Sequence, residues 1–95
     1  MTVTWHLRGF DHRTEREGVD IDIPQAMLPV VREIAPQTKN DPDLVDPHEL
    51  TRDQAVRLAE LLSVSVDPDR YTWSVESEED WRIVAAQKHD LRAKA

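Results

Sequence analysis

The sequence predicts a small α+β domain in which helices cover one face of an antiparallel sheet. Three segments alternate between apolar and polar residues, which is typical of half-buried strands. Three others repeat apolar residues at three-to-four spacing, which is typical of amphipathic helices. The order is ββααβα. We therefore expect a two-layer sandwich, with a three-stranded antiparallel sheet and three helices on one of its faces. A chain of 95 residues makes a single domain, residues 1–95.

Two strands open the chain and are expected to pair. Residues 2–10 and residues 17–23 each alternate between apolar and polar side chains. The polar link between them is short, so the two strands should form an antiparallel hairpin. Their inward positions are expected to be Val3, Trp5, Leu7, Val19, Ile21 and Ile23.

The first helix is predicted over residues 24–35. Pro24 suits the first helical position, where a backbone N–H has no partner within the helix. Pro29 conflicts with a regular helix, because proline removes one hydrogen bond and its ring clashes with the preceding turn. The helix therefore either kinks at Pro29 or has its regular part beginning near Leu28. Its apolar stripe consists of Met27, Val30, Val31 and Ile34.

The second helix has the strongest signals. It follows residues 36–49, which contain three prolines and are predicted to form a loop. Thr51 and Gln54 have the spacing of a capping box, in which each side chain accepts a hydrogen bond from a backbone N–H at the helix start. The buried stripe of this helix is expected to be Ala55, Leu58, Ala59 and Leu62.

A third strand and a third helix complete the prediction. Asp67-Pro68-Asp69 favours a turn, and residues 70–76 alternate as a strand whose inward residues are Tyr71, Trp73 and Val75. Ser77 is expected to cap a C-terminal helix. The apolar side of that helix consists of Trp81, Val84, Ala85 and Leu91.

The sheet face that carries no helices is expected to be polar. Outward positions of the three predicted strands hold both acids and bases, which indicates a solvated surface. The residues that line this open face are Thr4, His6, Arg8, Asp20, Asp22, Thr72, Ser74 and Glu76.

Composition argues against several kinds of site. The absence of cysteine excludes thiolate chemistry and disulfides, and two glycines leave no phosphate-cradling loop. The four histidines lack the spacing of a helical zinc pair, and the acidic segment 41–49 lacks the central glycine of a calcium loop. No nucleophile, base and orienting residue can be assembled. We therefore expect no catalytic residue, metal, cofactor or enzymatic activity.

Targeting signals are also not visible in the sequence. The N-terminus has no signal-peptide pattern, and no apolar run approaches the ~20 residues that span a bilayer. We therefore expect a cytoplasmic protein with no membrane partner.

Charge is the feature that points to a partner. The net charge of −7 is uneven: residues 41–80 carry twelve acids and three bases, whereas residues 81–95 carry four bases and one acid. Nucleic acid is a poor direct partner for this chain, and a basic protein surface is favoured. The alternative is that the excess of acidic residues only keeps the protein soluble. The predicted partner-binding residues are Asp41, Asp43, Asp46, Glu49, Asp67, Asp69, Glu78 and Glu79. We expect a monomer or a weak homodimer paired at a sheet edge.

A resemblance accompanies these patterns. The helix opened by Leu50-Thr51-Arg52-Asp53-Gln54-Ala55, the turn and strand at Asp67-Pro68-Asp69-Arg70-Tyr71 and the opening hairpin together resemble small bacterial domains found beside secreted toxin genes. Such domains are often immunity proteins. The resemblance implies neutralisation of a cognate toxin domain by tight binding, with a nuclease covered at its basic active site as one candidate.

Two alternatives stay open. The same acidic surface suits an inhibitor that mimics nucleic acid and blocks a restriction or guide-dependent nuclease. A small ligand-binding or enzymatic domain would instead use the open face around His6, Arg8, Asp20 and Asp22.

Overall fold

A four-stranded antiparallel sheet and two α-helices make up residues 3–79, the part of the chain that the computed structural model describes. The strands are β1 (Val3–Asp11), β2 (Glu17–Ile23), β3 (His48–Leu50) and β4 (Tyr71–Glu79), and the helices are α1 (Leu28–Ile34) and α2 (Arg52–Leu61). The spatial order is β2-β1-β4-β3. The α+β class is confirmed. No helix in residues 3–79 is long and apolar enough to cross a membrane.

The core lies between the sheet and the helices. Most predicted inward positions pack there: Leu7, Ile23, Trp73 and Val75 are buried, and Trp5, Val19, Ile21 and Tyr71 pack partly buried against them. Val3 differs, since it is 38% exposed at the end of the sheet. The alternation in β1, β2 and β4 thus predicts the buried face correctly, because side chains of a strand point alternately to its two faces.

The helices follow their predicted stripes. Ala55, Leu58 and Ala59 of α2 are buried, and both hydrogen bonds of the predicted capping box are present at its start. The Gln54 N–H donates to Thr51 Oγ1 at 3.2 Å, and the Thr51 N–H donates to Gln54 Oε1 at 3.0 Å. The capping box therefore forms as the sequence predicts.

Proline decides where the first helix begins. A short 3-10 turn, Gln25–Met27, precedes α1, and Pro29 lies in the first turn of the α-helix. The N–H that proline lacks would have no partner in that turn, so no kink is needed. Of the two outcomes weighed for this helix, the later start at Leu28 is the correct one.

The prediction of three strands is wrong, because a fourth strand, β3, begins at the end of the segment expected to be a loop and includes Leu50 after it. Its three residues pair antiparallel with β4, His48 with Val75 and Leu50 with Trp73. A strand this short shows no alternation that distinguishes it from a loop. Leu50 is buried, which joins β3 to the core and completes the sheet edge.

The prediction of a helix that starts at Ser77 is also wrong. Ser77 pairs with Trp5, and Glu79 pairs with Val3, so β4 continues along the whole of β1. Side chains at positions 77 and 79 are polar, which hides the continuation of the alternating pattern. The described residues therefore contain two α-helices, and the predicted stripe from Trp81 to Leu91 lies in residues 80–95, outside the described part.

One glycine has a packing role in the sheet. Gly9 lies beneath the rings that follow one another along β4. A side-chain carbon at Gly9 would lie 3.0 Å from Trp73 Cζ3 and 3.1 Å from Tyr71 Cβ. The two rings meet edge to face, with centroids 5.4 Å apart. A side chain here would have to push the two side chains aside by a few tenths of an ångström, which favours glycine at this position.

Candidate protein-binding face

The open face of the sheet gathers charged side chains from all four strands. Registered pairs share a face, so His6 of β1 lies between Asp22 of β2 and Glu76 of β4. The next outward residue, Arg8, lies between Asp20 and Ser74 by the same registers. We use "acidic face" for this surface, whose charged members are His6, Arg8, Glu17, Asp20, Asp22, Glu49, Glu76 and Glu78.

Arg8 is the central cation of the acidic face. Its side chain is only 13% exposed, and its Nη1 donates to Glu76, which is 15% exposed. Its Nη2 donates to Glu78 Oε2 at 2.6 Å and lies 3.7 Å from Asp20 Oδ2. The Nε lies 3.0 Å from Glu17 Oε1 but is not aligned to form a hydrogen bond.

The surroundings of Arg8 keep it charged. Burial by itself lowers the pKa of a guanidinium. Here the hydrogen bonds that Arg8 donates to Glu76 and Glu78, together with the charge of Asp20, outweigh burial and raise the pKa of Arg8 above its usual value. Arg8 therefore stays positively charged and holds carboxylates of the two strands on either side of β1 in fixed positions.

His6 is the second ionisable group beneath the acidic face. The sequence placed it on an open surface, whereas the structure leaves its side chain only 8% exposed. Its Nδ1 lies 2.7 Å from Asp20 Oδ1 and 3.3 Å from Asp22 Oδ1. Its Nε2 lies 2.7 Å from Thr4 Oγ1 and 3.6 Å from Glu78 Oε2.

The carboxylates of the acidic face outnumber its one arginine and reach solvent. The side chain of Asp22 is 89% exposed, and those of Glu17, Asp20 and Glu78 are 42–45% exposed. Because Arg8 and His6 lie beneath them, the outer layer that an approaching molecule meets is negative. Such a surface attracts cations and basic protein surfaces.

His6, Asp20 and Asp22 have donor atoms that lie within 4.8 Å of one another, close enough to bind a metal ion together. His6 Nδ1 and Asp20 are already at hydrogen-bond distance, and the guanidinium of Arg8 faces the other oxygen of Asp20. A fixed positive charge beside the carboxylate disfavours a bound metal ion. We therefore interpret these contacts as an ion-pair network.

The predicted loop acids have different roles. Asp41 accepts hydrogen bonds from the backbone N–H groups of Val45 and Asp46, both at 3.0 Å. His48 Nε2 lies 2.7 Å from the same carboxylate. The bond from the Asp46 N–H, followed by that from His48, holds the pKa of Asp41 below its usual range. Asp41 thus organises the loop, while Asp43 and Asp46 are exposed on it.

Asp43 and Glu79 lie together at one end of the sheet. With Ser77 they border a shallow groove whose apolar lining is Val3, Trp5 and Val45. Trp5 Nε1 donates to the backbone carbonyl of Asp43 at 2.8 Å, which ties the loop to β1.

Asp67 and Asp69 lie at the opposite end of the sheet, beside the turn that precedes β4. Asp67 is exposed. Asp69 accepts a hydrogen bond from Arg52 Nε at 2.6 Å, and this bond lowers the pKa of Asp69.

The eight predicted residues therefore do not form one surface. Only Glu49 and Glu78 reach the acidic face. Four carboxylates of this face were not among the predicted partner-binding residues, namely Glu17, Asp20, Asp22 and Glu76. A count of acidic residues along the sequence points to residues 41–80 as the binding surface. Acidic residues at the outward positions of the predicted strands are the sequence signal that points to this face.

Comparison with known proteins adds a family. The family model for a domain of unknown function, DUF7683, matches residues 4–76, which run from β1 into β4 and include the core and most of the acidic face. No curated protein matches the chain significantly, and no solved structure does so either. Because the matched residues make up most of the 95-residue chain, this protein belongs to the DUF7683 domain family.

Proposed function

We propose that this protein is a binding domain that docks its acidic face on a basic surface of a partner protein. The observation that carries the proposal is the layered arrangement of charge on this face. Most of the carboxylates lie outside, and Arg8, the cation that holds them, is only 13% exposed beneath. This arrangement supports attraction of a basic partner over a broad flat surface rather than capture of a small molecule in a deep cleft.

Fixed carboxylates favour tight binding. Glu76 and Glu78 are held by Arg8 before any partner arrives. A side chain that is already ordered loses little conformational entropy on association. An excess of negative charge also raises the rate of encounter with a positive surface. Both effects suit an inhibitor that must find and cover its target quickly.

The same contacts support binding over catalysis. His6 and Arg8, which the enzymatic alternative would use, are engaged with carboxylates of their own face. A general base must reach a substrate proton, and an imidazole that is 8% exposed offers little access. The enzymatic alternative is therefore the weaker of the two proposals.

We further propose that the partner is a toxin domain, so that the protein acts as an immunity protein. Support comes from the resemblance to domains encoded beside toxins and from the chemistry of the acidic face. A nuclease toxin binds phosphate through clustered Lys and Arg, and fixed carboxylates can occupy those cations. A restriction or guide-dependent nuclease would meet the same surface and is the alternative target.

Two matched charge reversals test the proposal. The first is Asp22→Lys with Glu49→Lys, both exposed on the acidic face. The control is Asp43→Lys with Asp46→Lys, both exposed on the loop, which changes the net charge equally. Association with the toxin domain proposed as partner is followed by stopped-flow fluorescence at several salt concentrations.

We expect the acidic-face variant to slow association by about ten-fold or more at low salt and to weaken its salt dependence. The loop variant should change the rate by less. Equal effects of the two variants would show that only net charge matters, and a larger effect of the loop variant would place the interface at residues 41–46. Either result overturns the proposal.

A further inference from the structure

The shallow groove at one end of the sheet takes no part in the acidic face. Among residues 3–79, three large apolar side chains are exposed, and two of them lie in this groove: Val3, which is 38% exposed, and Val45, which is 72% exposed. The third is Leu61 on α2. Exposed apolar surface that is gathered in one place and bordered by polar residues marks an interaction site. We call this surface the end groove, and its lining is Val3, Trp5, Asp43, Val45, Ser77 and Glu79.

The size of the end groove limits what it can hold. Its volume is about 470 Å³, which falls within the roughly 300–1,000 Å³ of pockets that bind small molecules. The Trp5 indole N–H is already bonded to the backbone carbonyl of Asp43, so the rest of that ring offers only apolar contact. The end groove therefore suits one or two large apolar side chains rather than a broad protein surface.

The chain itself brings such side chains to the end groove. Glu79, the last residue of β4, belongs to the lining, and the sequence continues with the apolar residues Trp81, Ile83 and Val84. Each residue advances a fully extended chain by at most about 3.6 Å. Because only two steps separate the residues, the Cα atom of Trp81 lies within about 7 Å of that of Glu79 whatever path the chain takes.

Charge favours the same occupant. Asp43 and Glu79 are both exposed, and they give the end groove a negative border. Residues 81–95 carry four bases and one acid. The segment that follows β4 therefore combines a large apolar side chain with a positive charge that the border attracts.

We propose that Trp81, with the apolar residues that follow it, docks in the end groove of its own chain. A segment on so short a tether has an effective concentration in roughly the millimolar range, far above the concentration of a second copy in dilute solution. The inference goes beyond the proposed function and does not depend on it, because the end groove shares no residue with the acidic face. Bases of residues 81–95 then lie near Asp43 and Glu79, so these two acids are engaged within the chain rather than free for a partner.

Nuclear Overhauser contacts test the docking directly. In the full-length protein, the ring protons of Trp81 should show contacts to the methyl groups of Val3 and Val45. The same experiment is repeated on an equal mixture of ¹³C-labelled and unlabelled protein, with filtering for contacts between copies. Docking within one chain predicts that the filtered spectrum loses these contacts.

Limited trypsin digestion provides a second test. Cleavage after Arg82 should be slower by about ten-fold or more in the full-length protein than in a synthetic peptide of residues 78–95, because a docked segment must open before the protease binds it. Val45→Lys removes an apolar contact and adds a repelling charge, so it should speed this cleavage by about five-fold or more. Leu61→Lys changes the net charge equally outside the end groove and should not. Cleavage after Arg57 in α2 reports opening of the core and should stay slow in both variants.

The outcomes are distinguishable. Contacts seen only between labelled and unlabelled copies would assign the end groove to a second copy, and no contact from Trp81 would leave it to another protein. Either result overturns the proposal. Cleavage after Arg82 that is as fast as in the peptide, or no faster in Val45→Lys than in Leu61→Lys, overturns it as well. If Val45→Lys does not fold, the contacts in the unmodified protein still decide. None of these results bears on the acidic face, so the proposed function is tested separately.

Discussion

Replacement of Arg8 by methionine is the most demanding test of the acidic face. The variant keeps much of the apolar stem and removes the guanidinium that contacts Glu76, Glu78 and Asp20. Those carboxylates then lose their counter-charge and repel one another. Since Arg8 is 13% and Glu76 is 15% exposed, this pair is screened little by water.

The magnitude follows from burial. Breaking a fully buried pair costs about 3–5 kcal/mol, whereas exposed pairs contribute about 0–1 kcal/mol. Glu17, Asp20 and Glu78 are more than 40% exposed. We therefore expect Arg8→Met to lower the free energy of unfolding by an amount between these limits, about 2–4 kcal/mol. For a domain of this size, that corresponds to a fall in Tm of about 10–25 °C.

Urea denaturation at pH 7, followed by tryptophan fluorescence, measures the loss. Arg57→Met, at an exposed position of α2, is the control. Its free energy of unfolding should lie within about 0.5 kcal/mol of that of the original protein. A loss of unfolding free energy below about 0.5 kcal/mol would refute the role of Arg8.

Three further predictions concern other parts of the fold. Asp41→Asn will lower Tm at neutral pH. Because the folded-state pKa of Asp41 is depressed, its contribution is present above the unfolded-state pKa and lost as pH falls through the folded-state pKa, so melting curves of the two proteins should converge in strong acid. Thr51→Ala will lower the free energy of unfolding, measured by urea denaturation, by about 1 kcal/mol, because it removes one hydrogen bond of the capping box. Thr51→Ser should lower it much less. Gly9→Ala will lower the free energy of unfolding by about 1–3 kcal/mol, because the added methyl group pushes against Trp73. An unchanged urea midpoint would show that the Trp73 ring moves freely.

Much of the fold could be predicted from local patterns. The alternation around Leu7 and Trp73 and the capping box at Thr51 identified the long strands and α2, because each signal lies within a few neighbouring residues. The β3 strand and the last residues of β4 could not be found in this way. Residues 48–50 and 77–79 are strands because β4 and β1, respectively, offer them hydrogen-bond partners.

The candidate site, too, could be predicted in part from the sequence and in part only from the structure. The sequence established an acidic chain with outward charges on its strands, and it placed His6, Arg8, Asp20 and Asp22 on one face. It could not show that Glu78 belongs to that face, since this residue was assigned to a helix start. Nor could it show that Asp41 is occupied in holding its own loop.

Periodicity and capping are short-range properties, so the sequence by itself determined the α+β class, the buried side of each long strand and the start of α2. Only the tertiary structure decided which charges meet. The register of β1 against β2 and β4 is set by packing of the apolar face and by backbone pairing over many residues. That register places Asp20 and Glu78 against His6 and Arg8. It turns four outward residues of three strands into one network, with Arg8 and His6 beneath and the carboxylates towards solvent.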